Sequence, residues 1–454
     1  MDKQLDKDMV MPTMEVEITS REVIKPSSPT PPHLKIHHLS FFDQFIPSWF
    51  VPLILFYPNK ELDKQPSYSA TKRLHLLKTS LSETLARYYP LAGRIGETDF
   101  IECNDEGAVF LEARTNSDLS EVLNNPENEI LGQLLPDDLQ WSTNSNTPLV
   151  VQITFFGCGG MAIGLCLSHR IVDMSSMGRF LNNWASIARG TADYQSVLPD
   201  FSGATLFPRG DLLVPPPHKL PAETFVTRRL VFSASKITSL KAIASKNLQN
   251  PTRVEAVSAL IYKCAISASR ANSNMLNPTL FIQSINLRSR MDPPLPQSLT
   301  GNIVFVFSVL TSKESEIELH GLVECMREEL VKFCDKHAKS FRRKEWFSAI
   351  SECLEDARKV YYSSKNLSKY SCTSWCRIPL YQVDFGWGRP EWVTTTSCGM
   401  KNSSVLMDTR DGLGIEALVT LEAQDMAIFE RDNELLSFAT VNPRAVEAAP
   451  YVDT

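Results

Sequence analysis

Gly164-Leu165-Cys166-Leu167-Ser168-His169-Arg170-Ile171-Val172-Asp173 carries an apolar run into a histidine, sets an aspartate four residues further on, and passes into a helix-like pattern at Ser175-Ser176. Reading back from it, 149–156 and 161–168 are two strand-like runs joined by Gly157-Cys158-Gly159-Gly160, a natural hairpin turn. Reading forward, Met177, Phe180, Leu181, Trp184 and Ala188 share one helical face, and Gly190 closes the helix. The stretch predicts hairpin, turn and helix, with His169 at the mouth of a buried strand. An imidazole there titrates near neutral pH and is placed to take a proton from a substrate. The loose dinucleotide pattern Gly157, Gly159, Ala162 leads into a second strand instead of a helix, which argues against a nucleotide site. A five-residue pattern with two fixed positions recurs by chance, so the pair draws its meaning from the rest of the chain.

A chain of 454 residues exceeds one ordinary core and predicts two domains. With 43% hydrophobic and 22% charged residues it has the composition of a folded protein, not of a disordered one. A net charge of −6 gives no basic footprint for nucleic acid. The longest apolar run, 45–57 (FIPSWFVPLILFY), falls short of the roughly 20 residues that cross a bilayer and holds two prolines. The amino terminus mixes both charges and lacks the apolar centre of a signal peptide, so a cytoplasmic protein with no membrane partner is expected. Ten cysteines form no CxxC pair and no zinc-ligand spacing; reduced thiols and no metal are expected. Nothing argues for an obligate oligomer, and a monomer is expected.

The alternation in 16–24 predicts a first strand, followed by a proline cluster at Pro26, Pro29, Pro31 and Pro32. Leu74, Leu77, Leu81 and Leu85 mark a helix over 70–88 that stops at Tyr89-Pro90-Leu91-Ala92-Gly93-Arg94. Residues 198–221 have no periodicity and hold Pro199, Pro208, Pro215, Pro216, Pro217 and Pro221. Such a stretch predicts a linker, dividing the chain into an N-terminal domain, 1–197, and a C-terminal domain, 222–454. The second half reads as strands at 224–232, 279–286, 380–384, 404–409 and 414–421, with helices at 234–244, 254–268, 315–336, 346–362 and 424–433. The class is mixed α/β.

A second segment is Trp375-Cys376-Arg377-Ile378-Pro379-Leu380-Tyr381-Gln382-Val383-Asp384-Phe385-Gly386-Trp387-Gly388-Arg389-Pro390. With His169 and Asp173 it resembles the BAHD acyl-CoA-dependent acyltransferases, whose signatures HxxxD and DFGWG stand here in the family's order and spacing. Supporting matches are Tyr89 through Arg94, Asn286-Leu287-Arg288-Ser289-Arg290, Gly301-Asn302 and Asp408-Thr409-Arg410-Asp411-Gly412. The resemblance spans 14–435. Ser168-His169 with Ser175-Ser176-Met177, and Thr373-Ser374-Trp375-Cys376-Arg377, are most similar to the alkaloid- and terpenoid-acylating branch that includes vinorine synthase.

The resemblance implies two similar mixed-sheet domains, chloramphenicol-acetyltransferase-like, with the active site in a channel between them. It implies acyl-CoA, acetyl-CoA foremost, as co-substrate, with no bound cofactor and no metal, and a small-molecule acceptor reaching His169 from the opposite face. His169 is the expected general base, transferring acetyl to a hydroxyl of a plant specialised metabolite of alkaloid type. N-acylation, a malonyl or longer donor, and a non-catalytic ligand-binding relative stay open. The chain lacks the GxSxG elbow of a serine hydrolase. In the family the aspartate turns away and pairs with an arginine, here Arg288 or, as second choice, Arg290. Asp384 is expected to support its loop, and Trp387, with Gly386 and Gly388, to face an oxyanion or the CoA side. The family places a small residue where Val172 stands, so its branched side chain predicts a narrowed channel or a shifted histidine.

Overall fold

The computed structural model describes residues 14–46, 49–59, 69–96, 100–136, 145–191, 198–210, 225–246, 248–273, 275, 277–312, 316–362, 366–397 and 399–446. The tail 1–13 and Pro215, Pro216, Pro217 and Pro221 of the proline-rich stretch lie outside them. In chain order the strands are β1 (Glu17–Ile24), β2 (Ile36–His38), β3 (Phe50–Tyr57), β4 (Arg94–Ile95), β5 (Phe100–Glu102), β6 (Ala108–Arg114), β7 (Leu149–Phe155) and β8 (Met161–Ser168). The second half adds β9 (Phe225–Phe232), β10 (Thr279–Asn286), β11 (Val304–Thr311), β12 (Ser368–Ser374), β13 (Trp392–Thr394), β14 (Ser403–Asp408), β15 (Ile415–Glu422) and β16 (Thr440–Val441). The helices that frame the site are α1 (Ala70–Arg87) and α2 (Met174–Ala188) in the first half and α3 (Arg253–Ser273), α4 (Leu319–Lys336) and α5 (Trp346–Tyr361) in the second.

Two mixed sheets organise two domains. The first runs β1-β6-β7-β8-β3-β13 and the second β11-β10-β12-β14-β15-β9-β16; a small sheet, β2-β5-β4, stands apart. In the first sheet β3, β7 and β8 are buried along their whole length. Strands covered on both faces read as continuous apolar runs, not as alternation. That is why 45–57, weighed only as a membrane candidate, contains a central strand. The β7–β8 hairpin closes where expected, with Gly159 at φ +78°, a conformation that glycine adopts without steric cost. Ser69 caps α1 by accepting the Lys72 N–H, and Leu77, Leu81 and Leu85 form the buried stripe it lays against the core.

Three expectations are corrected. Residues 380–384 form a 3₁₀ turn over Leu380–Gln382 in place of a strand. There the backbone N–H groups of Leu380, Gln382 and Val383 bond back to Ile378, Pro379 and Leu380 instead of to a neighbouring strand. The helix expected over 424–433 is two, Ala423–Phe429 and Asn433–Phe438, because Asp432 starts a new one by accepting the Leu435 N–H at 2.9 Å. Strands β6, β11 and β12 were not anticipated, nor were the short β2, β4, β5, β13 and β16. Polar residues interrupt β12, and β11 is an edge strand with exposed Val306 and Leu310.

The two halves exchange segments. β13, from the second half, pairs antiparallel with β3 as the last strand of the first sheet. Trp375, Leu380, Val383, Phe385 and Val393 join the apolar core of the first half. In return Phe41 and Phe42, ahead of β3, are buried in the core of the second half beside Phe207 and Phe341.

Candidate active site

His169 is the first residue after β8, in the turn that leads to α2. The turn is fixed at its start by the backbone: the His169 N–H donates to the Trp49 carbonyl at 2.7 Å. At its end Asp173 caps α2, Oδ1 accepting the Ser176 N–H at 2.8 Å. Asp173 Oδ2 accepts the Ile303 N–H at 3.1 Å, so the turn is also stitched to the second half.

Arg288, fully buried just after β10, donates to Asp173 through two nitrogens, at 2.6 Å to Oδ2 and 3.2 Å to Oδ1. Its remaining donors reach the Leu299 carbonyl, at 3.0 Å from Nε, and the Gly301 carbonyl at 3.2 Å. A buried charge pair is tolerable only when its other donors and lone pairs are met, and here they are. Arg290 instead donates to the Asn286 carbonyl at 2.7 Å. Asp173 therefore faces away from the imidazole and toward Arg288.

The His169 ring meets a different residue. Its Nδ1 lies 3.0 Å from Asn302 Oδ1, while Asn302 Nδ2 donates to the His169 carbonyl at 2.6 Å and to Asp43 Oδ1 at 2.9 Å. In the sequence Gly301-Asn302 stood only as a supporting match and Asp43 only as the end of a segment, His38 to Asp43, that lines the acceptor channel in the resembled family; neither was tied to His169. The available signal was the buried-looking Ser40-Phe41-Phe42-Asp43 run, in which one carboxylate sits among apolar residues.

His169 is half-buried and opens on a cavity of about 400 Å³. Phe42, Phe45, Ile46, Met174, Ile285, Phe305, Leu354 and Trp375 make its apolar walls; Ser284, Asn286, Thr373 and Ser374 supply polar ones. Phe42 and Phe45 pack on the second core and are walls of this cavity as well. Lys and Arg are absent from these walls among the described residues. A second cavity, of about 730 Å³, shares Ser175, Ser284, Ile285, Asn286, Ser374, Cys376 and Ile378 with the first. Arg179, Arg253, Arg290 and Arg377 line it. Arg377 adopts φ +67°, strained for a non-glycine residue, and the Asp408 carboxylate holds it there by accepting its N–H at 2.6 Å.

Burial holds the His169 imidazole below its ordinary value of 6.5, against the opposing pull of hydrogen bonds and of the Asp173 charge. Its neutral form is thus the one present at pH 7. Burial pushes the Cys376 thiol up to about 12. A protonated thiol is a poor nucleophile.

Val172 is 1% exposed and packs into the first core with Ile171 and Met177. The expected narrowing does not arise, because the branched side chain is on the core side of the turn. Trp387, Gly386 and Gly388, expected to face an oxyanion or the CoA side, sit in a loop packed on the first half. The Trp387 ring stacks on Phe385 at 5.5 Å, edge-on to Tyr57, with the Arg73 guanidinium over its face. Neither cavity draws a wall from 384–388 among the described residues. Asp384 Oδ1 accepts the N–H groups of Gly386 and Gly388 at 2.8 and 3.0 Å, and both glycines have positive φ. The Tyr57 hydroxyl donates to the Val383 carbonyl at 2.9 Å, clamping this loop to β3. Among the described residues no cluster of His, Cys, Asp and Glu could hold a metal, and no helix is long and apolar enough to cross a membrane.

A histidine that opens on an apolar cavity, itself sharing walls with an arginine-lined one, fits the two-domain acyltransferase class. The Transferase family model matches residues 14–436, and the chain is a member of that family, the BAHD acyltransferases. It is similar to stemmadenine O-acetyltransferase of Catharanthus roseus, 38% identical over 92% of this chain and 97% of that one. It is also similar to the 17,18-epoxy-17-hydroxycur-19-ene N-malonyltransferase of Strychnos nux-vomica, 37% identical over 95% and 92%. The crystal structure of vinorine synthase superposes with a TM-score of 0.82 at 38% identity, covering 95% of this chain and 99% of that one. These relatives differ in the atom acylated and the acyl group carried, so family membership alone does not fix either.

Proposed function

We propose that this protein transfers acetyl from acetyl-CoA to a hydroxyl of an apolar plant specialised metabolite of alkaloid type, with His169 as general base. The observation that carries the reading is the position of His169, at the end of a buried strand and beside the meeting of an apolar and an arginine-lined cavity. The acceptor occupies the apolar cavity. The phosphates of CoA lie toward Arg179, Arg290 and Arg377, and the thioester reaches His169 past the shared wall.

Neutral His169 takes the hydroxyl proton as the alkoxide oxygen bonds to the thioester carbonyl carbon. The tetrahedral adduct then expels the CoA thiolate, which recovers the proton from the imidazolium. An ester and free CoA result, and a thioester is already activated enough to need no covalent enzyme intermediate. Asp173 and Arg288 hold the turn, and Asp384 holds the 384–388 loop. The absence of Lys and Arg from the described walls at His169 favours a neutral acyl group over malonyl. A cytosolic monomer completes the reading.

Incubation with acetyl-CoA and a panel of alkaloid alcohols, following free CoA and product mass, tests it. His169-dependent CoA release with an acetylated product is expected. Equal release by wild type and His169→Ala across the panel would mean that the protein is not this enzyme.

A further inference from the structure

The orientation of the Asn302 amide is decided by its neighbours. Two oxygens, Asp43 Oδ1 at 2.9 Å and the His169 carbonyl at 2.6 Å, face Nδ2. Turning the amide over would set its carbonyl oxygen against both, so Oδ1 must be the atom facing the imidazole. An amide oxygen only accepts. In the neutral ring the Nδ1 at 3.0 Å from it therefore carries the hydrogen and Nε2 the lone pair; the backbone of His169 and of Val172 also hydrogen-bonds the ring.

Asp43 secures that arrangement. Four donors converge on its carboxylate: the Ser40 N–H at 2.8 Å, the Ser40 hydroxyl at 2.6 Å, the Asn302 N–H at 2.7 Å and Asn302 Nδ2. Burial raises the pKa of Asp43 while the Ser40 and Asn302 hydrogen bonds oppose that rise, and since all four partners donate, the ionised carboxylate is the form that satisfies every one of them. Asp43 is 4% exposed and Asn302 fully buried, so water does not compete. The carboxylate belongs to the first half and Asn302 to the second, and the chain Asp43–Asn302–His169 crosses between them.

We propose that Asp43 and Asn302 are positioning residues that lock His169 in the Nδ1–H tautomer and reserve Nε2 as the basic atom. The catalytic part of this inference rests on the reading of His169 as the base; the tautomer itself does not. The lock differs from a serine-protease arrangement in its middle member. A neutral amide stands between carboxylate and imidazole, orienting the ring while holding the charge of Asp43 one residue away.

The experiment is ¹⁵N NMR on the full chain labelled at the histidine rings, at about pH 8, where an ordinary imidazole is neutral. The His169 signals are those lost in His169→Ala. A protonated Nδ1 and a bare Nε2 are expected in the wild type, with mixed tautomers in Asn302→Leu. Steady-state rates accompany it: Asn302→Leu is expected to lower kcat about 10²–10⁴-fold with little change in KM for acyl-CoA. Asp43→Asn, which keeps the shape and removes the charge, is expected to lose less. A wild-type Nε2–H signal overturns the proposal, as does wild-type kcat in folded Asn302→Leu. Should Asn302→Leu fail to fold, the wild-type spectrum decides alone. If the tautomer is as expected while His169→Ala remains active, it is the general-base reading that has failed and not the lock.

Discussion

Arg288 and Asp173 face each other fully out of water, one from each half of the chain, in a two-pronged pair at 2.6 and 3.2 Å. Removing one partner leaves the other as a buried, uncompensated charge. Arg288→Ala or Asp173→Asn is expected to cost about 3–5 kcal/mol of stability, while His169→Ala leaves the melting temperature within a degree or so of wild type. Calorimetry on the three variants checks this; equal Tm for Asp173→Asn and wild type would show that the pair is not structural.

The pH profile should report His169. Burial lowers its pKa below 6.5, so protonation removes the base only on the acid side of that value. The expected kcat/KM is flat through pH 7 and falls as pH drops below 6.5, disappearing with acid. An acid limb centred above 6.5 would contradict the assignment.

Arg377 is exposed at the rim of the arginine-lined cavity, held in a strained backbone conformation. For Arg377→Ala the KM for acetyl-CoA is expected to rise about tenfold, the scale of one charge-assisted hydrogen bond, with kcat nearly unchanged. The wild-type KM should climb with salt more steeply than that of the variant. Kinetics at two ionic strengths decide the matter.

Asp384 touches neither cavity but satisfies two glycine N–H groups in its own loop. Asp384→Ala is expected to destabilise the protein by about 1–3 kcal/mol, the cost of orphaned donors, and to leave kcat per folded molecule close to wild type. Active-site titration alongside urea unfolding separates the two effects. A large fall in kcat for folded protein would return the loop to the chemistry.

Acid should weaken the fold as well. Half-buried His37 packs edge-on to Phe201, and burial, with the neighbouring His38 charge, pushes its pKa down to about 4. Between pH 6.5 and 4 the unfolded chain binds a proton there that the folded chain does not, so stability falls as pH falls through that window. Urea midpoints at pH 7 and 5 should differ less in His37→Gln than in wild type.

How much of this was legible in the sequence depends on whether the signal is local. The β7–β8 hairpin, the turn at His169 and the helix after it are written in apolar runs, glycines and a capping aspartate, all within a few residues of one another. The Asp173–Arg288 partnership was reached through family resemblance; nothing in the spacing of two residues so far apart would reveal it. The Asp43–Asn302 bond was missed for the same reason, since it joins distant segments. The packing of the Trp387 loop was not legible, because a motif signals that a loop is special without saying which way it faces. Leu380–Gln382 misled because a short apolar run fits both a strand and a buried turn.

The exchange of segments has a consequence for synthesis. β3 emerges from the ribosome early, yet its partner β13 is made only when most of the second half has been translated. Until then one edge of the first sheet is open, and an open strand edge invites pairing with other nascent chains. Phe41 and Phe42 wait just as long for the core that buries them. Chains stalled in the second half are therefore the sticky ones, and the demand on chaperones should peak late in translation.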